Sequence, residues 1–164
     1  LVLGASKSWN AETDRDEYFT ESINYLLYKN DEAVTYLTLL DEAHSKLSWN
    51  MLSYCYSNCI YEKKFEIKYP AKEDVLSVQS NCKGIMKNLI NVQWECDEYR
   101  QEIMIAAEGI MVMAELFGKL AGYEIERYSD TEQWLKKYRI KWVEKNKESE
   151  LCEIEKMFRI LENQ

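Results

Sequence analysis

Residues 92–120 read VQWECDEYRQEIMIAAEGIMVMAELFGKL. Apolar residues recur at alternating spacings of four and three: Val92, Cys96, Tyr99, Ile103, Ala106, Ile110, Met113, Phe117 and Leu120. That alternation keeps one stripe of a helix turned toward a partner helix. From Met104 a second stripe joins it through Ala107, Met111, Ala114, Gly118 and Ala121. The buried face therefore widens toward the C-terminal half, as in a helix gripped from two sides. Glu102, Glu108 and Glu115 interrupt the apolar run, so it is too short to span a bilayer, and they are expected to face outward. The stretch reads as the central helix, near 98–121, of an all-α bundle of about five to six helices.

The rest of the chain agrees with that class. Its 164 residues suit one domain, and 46% hydrophobic content argues against disorder. One proline and five glycines are too few for the turns of a strand-rich protein. The formal charge of −8, with no clustered basic patch, argues against nucleic-acid and anionic-membrane partners. The densest basic segment, Lys136 to Lys147, carries six Lys/Arg spread around a helix that also holds Trp134, Trp142 and Val143, which reads as a solvated face.

Upstream, Asp14 with Glu17 has the form of a capping box for a first helix ending near Lys29. Asn30-Asp31 breaks it, and a second helix runs from Glu32 to about Tyr61, loosened at 45–48. Glu62 to Lys72, with Pro70, is a non-helical connector. From Val75 the apolar seam runs straight into Val92. Taken literally, that helix would extend roughly 70 Å, too long for a domain of this size, so a break is expected between Asn88 and Asp97. Gly118 and Gly122 close the central helix. Ser129 with Glu132 opens another helix to about Lys145, and Ser149 caps a final one carrying Leu151, Ile154, Phe158 and Leu161.

Residues with chemical potential lack the partners that chemistry needs. The Asp-Glu pairs 31–32, 41–42 and 97–98 fall at helix starts or on helix surfaces, where carboxylates complement the helix dipole. His44, the single histidine, lies on the seam between Leu40 and Leu47 and reads as a core or interface residue. One histidine cannot supply the two Glu-x-x-His elements of a metal-carboxylate bundle. Cys55, Cys59, Cys82, Cys96 and Cys152 read as reduced thiols rather than a disulfide framework, which leans toward the cytoplasm. Cys55 and Cys59 stand one turn apart without further ligands at metal spacing. No catalytic, cofactor-binding or metal residue is assigned, and no cofactor is expected. Five tryptophans and twelve tyrosines could stack on sugars, but surplus aromatics more often form core or a docking surface.

Two segments carry a resemblance. Ser8-Trp9-Asn10, followed by an Asp-rich turn and an amphipathic helix, resembles the junction after the catalytic barrel of several glycoside hydrolases. Trp142, then Asn146-Lys147-Glu148-Ser149-Glu150-Leu151, Ile154 and Phe158, resembles the closing segment of bacterial β-N-acetylhexosaminidases of glycoside hydrolase family 20. There a Trp helix ends in Asn-Arg/Lys-Pro-Ser-Glu-Leu before a final helix; here Glu148 stands where proline is usual.

The resemblance covers about a fifth of the chain. It implies that residues 1–10 are the tail of a preceding catalytic domain and 11–164 a single helical C-terminal domain. Its partner would be the catalytic barrel of the same polypeptide, with homo-oligomerisation left open. In that family a catalytic Asp-Glu pair at a barrel strand end supports attack by the substrate's own acetamido group. No Asp-Glu pair here follows a strand pattern, so no catalytic residue carries over, and the hydrolase activity implied belongs to the parent enzyme. The alternative is a freestanding helical interaction or regulatory domain, and a third reading is an independent sugar-binding module.

Overall fold

A computed structural model describes residues 20–47, 49–145 and 148–164, and among these every regular element is helical. They are α1 (Ile23–Tyr28, wound as a π-helix), α2 (Ala33–Lys46), α3 (Trp49–Tyr61), α4 (Lys72–Asn91), α5 (Asp97–Leu120), α6 (Thr131–Lys145) and α7 (Glu148–Glu162). The all-α bundle read from the sequence is therefore the architecture. The Asp14 capping box lies outside the described residues.

α5 is the central helix. Every residue from Gly109 to Gly118 is buried, because α2, α4 and α6 all pack against it. Val92 and Cys96 do not belong to it. Residues 92–96 form the break that chain length demands, with Cys96 extended (φ −117°, ψ 100°) just before the helix. Trp94 from this connector is buried against Tyr36 of α2, ring centroids 6.4 Å apart. Asp97 does not cap a backbone amide; its carboxylate takes Arg100 and Gln101 side chains, each at 2.6 Å, and Arg100 above all holds its carboxyl below the usual carboxylate range.

Several local expectations move by a residue or a turn. The helix expected from Glu32 to Tyr61 is two helices, broken where the Leu47 amide donates back to the His44 carbonyl at 3.0 Å. Asn30 makes a local turn, its Oδ1 accepting the Glu32 amide at 2.9 Å, and it is buried Asn24 that takes a first-turn amide of α2, accepting from Val34 at 2.8 Å. Helix α6 is capped by Asp130, whose Oδ1 accepts the Gln133 amide at 2.9 Å, and not by Ser129. Ser149 is the second residue of α7 rather than its cap.

The end of α5 follows the sequence closely. Tyr123 donates to the Gly118 carbonyl and Gly122 to Lys119, both at 2.9 Å, a Schellman closure in which Gly122 takes φ +77°. Glu115 corrects the outward-facing expectation. It is 4% exposed and accepts the amides of Tyr128 (2.9 Å) and Ser129 (3.2 Å), the Ser129 hydroxyl, and Gln79 Nε2 (3.2 Å). A buried carboxylate is tolerated because these donors replace water. It holds the 121–130 loop against α5 and so sets where α6 begins.

Candidate functional site: an aromatic groove between four helices

Helix α3 packs on α7 and stands off from α5, and this gap is the origin of the site. α6 and α7 contribute further lining, over a floor formed by α5. The resulting groove has a volume of about 1000 Å³, at the upper end of small-molecule pockets.

One wall is built by helical spacing. Trp134, Tyr138 and Trp142 occupy positions i, i+4 and i+8 of α6, so their rings lie over one another on one face. Centroids are 5.2 Å apart between Trp134 and Tyr138, and 5.5 Å between Tyr138 and Trp142. Phe158 of α7 meets Trp134 edge-on at 4.8 Å. The Trp134 indole N–H donates to the Ile105 carbonyl at 3.0 Å, which fixes the ring over Gly109. Burial pushes the Tyr138 hydroxyl up to about 12, so it stays protonated as a donor.

The floor is Ile110 and Met113 of α5, with Ala106 exposed beside them. Ala106 was expected in the packed stripe; it faces the groove because no helix covers that part of α5. On the α3 side, the Tyr56 hydroxyl donates to the Glu153 carboxylate of α7, a bond that raises the phenol's pKa above its usual value. Tyr61 stands at the rim, 58% exposed. At the other end Lys141 bonds Glu144 at 3.0 Å, and Glu144, with smaller contributions from Glu98 and Glu102, holds its ammonium above the ordinary lysine value. The arrangement can bury apolar side chains against aromatic faces and meet polar or charged groups at its ends.

None of the residues weighed for catalysis or metal binding lines the groove. All three Asp-Glu pairs are exposed, and His44 is half-buried on α2. Cys55 and Cys82 are fully buried, and burial pushes both thiols up to about 12, so they are weak nucleophiles. Among the described residues no group of three His, Cys, Asp or Glu could hold a metal ion. No described helix is long and apolar enough to cross a membrane. The basic segment of α6 is not simply a solvated face: Lys137 bonds Glu108 at 2.7 Å and Arg139 bonds Glu155 at 2.9 Å, tying α6 to α5 and α7. Trp9, Asn146 and Lys147 lie outside the described residues. The 134–138–142 aromatic spacing was the available signal for the groove; the gap opposite it has no sequence signature.

No protein-family model, no curated protein and no solved structure matches this chain.

Proposed function

We propose that this chain is the non-catalytic helical C-terminal domain of a bacterial β-N-acetylhexosaminidase-like glycoside hydrolase, bracing the catalytic barrel or its oligomer. The observation that supports this reading most is the α6–α7 unit. A helix bearing Trp142 ends at Lys145, and a final helix opens at Glu148 with Leu151, Phe158 and Leu161 buried along one face. Two such consecutive helices are what the resemblance in this segment leads one to expect. The free thiols of Cys55, Cys59, Cys82, Cys96 and Cys152 support a reducing compartment, the cytoplasm.

A freestanding interaction domain is the second reading, favoured by the open groove. The first reading expects no release of nitrophenol from chromogenic N-acetylglucosaminides by the purified chain, with glycosidase activity only in the polypeptide that contains the barrel. Measurable turnover by the purified chain would overturn it. A calorimetric titration with N-acetylglucosamine that shows heat would instead point to a sugar-binding module.

A further inference from the structure

The groove has a length and a surface that together describe an occupant. Along α5 its lining runs from Glu102 to Met113, roughly 16 Å at 1.5 Å per residue. An extended alkyl chain of about twelve carbons covers that length. Ile110 and Met113 form the floor, with Ile154 and Met157 of α7 and Leu52 of α3 beside them. These side chains are aliphatic or thioether, and methionine adapts its shape to a flexible occupant. The aromatic wall adds a ridged strip rather than an open platform. Trp134 and Tyr138 turn their faces to each other at 27°, and Phe158 meets Trp134 at 65°. Faces spent on one another give a sugar or a planar ring little to stack on, whereas methylenes pack on ring edges as on any apolar surface.

The charged side chains that line the groove are already engaged. Lys141 bonds Glu144 at 3.0 Å, and Glu102 has partners within the protein. Glu153 accepts the Tyr56 hydroxyl. A charged head group would have to break one of these contacts to gain its own. Ser53 and Ser57 line the α3 side, with the exposed Tyr61 at the rim. Hydroxyls both donate and accept, so they suit an uncharged, hydroxylated head.

We infer that the groove binds an uncharged single-chain amphiphile. Its alkyl chain lies along α5 between Leu52 and the Trp134–Tyr138 wall, and its hydroxylated head meets Ser53, Ser57 and Tyr61. Ala106 and Ser53, exposed and small on opposite sides, leave the entrance open. The inference does not require the family reading: it concerns what fills the groove, not the enzyme to which the domain is attached.

The test uses the full chain and submicellar dodecyl maltoside, with maltose, decyl maltoside, laurate and dodecyltrimethylammonium as comparisons. Titration calorimetry is expected to show one saturable site for dodecyl maltoside and no heat with maltose. Decyl maltoside, two methylenes shorter, binds roughly tenfold more weakly, the loss that burial of both methylenes implies. Laurate and dodecyltrimethylammonium each bind at least ~tenfold more weakly than dodecyl maltoside. Ala106→Trp and, independently, Ser53→Trp fill the groove from opposite sides, and each weakens binding at least ~tenfold with helicity unchanged. The chain-length and head-group series on the unaltered chain decides the matter without either variant. Binding of maltose alone, equal affinity for the two chain lengths, equal or tighter binding of a charged amphiphile, or wild-type binding by both blocked variants would overturn the inference. So would a dimer, seen by sedimentation, that Ala106→Trp dissociates, since the occupant would then be a second copy. Failure of dodecyl maltoside to bind at all would overturn it in favour of a polypeptide occupant.

Discussion

The indole of Trp134 lies over Gly109 so closely that a methyl group at Gly109 would stand 2.7 Å from the ring. This contact joins α6 to the central helix and fixes the inner end of the aromatic wall. The ring cannot tilt away freely, because its N–H is held by the Ile105 carbonyl at 3.0 Å. Gly109→Ala is therefore expected to destabilise the fold by about 1–3 kcal/mol, despite alanine's better helix propensity. Thermal unfolding checks this; an unchanged or raised midpoint would show that the contact is not tight.

Glu115 anchors the loop before α6. Replacing it with alanine leaves the Tyr128 and Ser129 amides and Gln79 without their carboxylate acceptor, and the expected cost is about 3 kcal/mol. Glu115→Gln keeps one acceptor oxygen and should cost less. Chemical denaturation of the two variants decides, and equal losses would contradict the hydrogen-bonding role.

Acid sensitivity should come partly from Glu162. The Arg127 guanidinium, with help from Thr131, holds its carboxyl below the ordinary value of 4.5. A carboxyl whose folded pKa is depressed adds stability above its unfolded pKa and loses it as pH falls through the folded value. Stability of the wild-type chain should therefore fall between about pH 4.5 and the lower folded pKa, and Glu162→Gln should flatten that slope. Melting curves at stepped pH test this; parallel wild-type and variant curves would refute it.

Thiol accessibility gives a check on packing. Cys152 is exposed, whereas Cys55 and Cys82 are fully buried with thiols raised to about 12. At pH 8 a thiol reagent should modify Cys152 promptly in the native chain and reach Cys55 and Cys82 only after denaturation. Peptide mass mapping reads the order, and early modification of Cys55 would contradict the packing of α3.

Much of this fold was legible because its signals are periodic. The buried stripes of α5, the connector at 62–71 and the Gly122 closure all follow from spacing and residue type. The break at 92–96 was legible only from length, since the apolar seam continues through it. Glu115 was misread because a carboxylate pattern says nothing about loop amides arriving from residues fourteen positions away. Ser129 resembled a cap, but its hydroxyl goes to Glu115 and Asp130 takes the capping place. The groove was illegible for a related reason. Helical spacing reveals which face of α6 carries Trp134, Tyr138 and Trp142, but not that α3 leaves the opposite side open.

The proposed attachment of this helical domain to a glycosidase barrel can be checked by reading the coding sequence in frame upstream of Leu1. Several hundred residues of alternating β-strand and α-helix pattern, with an Asp-Glu pair closing one of the strands, are expected there. A start codon at or near Leu1 would contradict it and leave the freestanding interaction domain in its place.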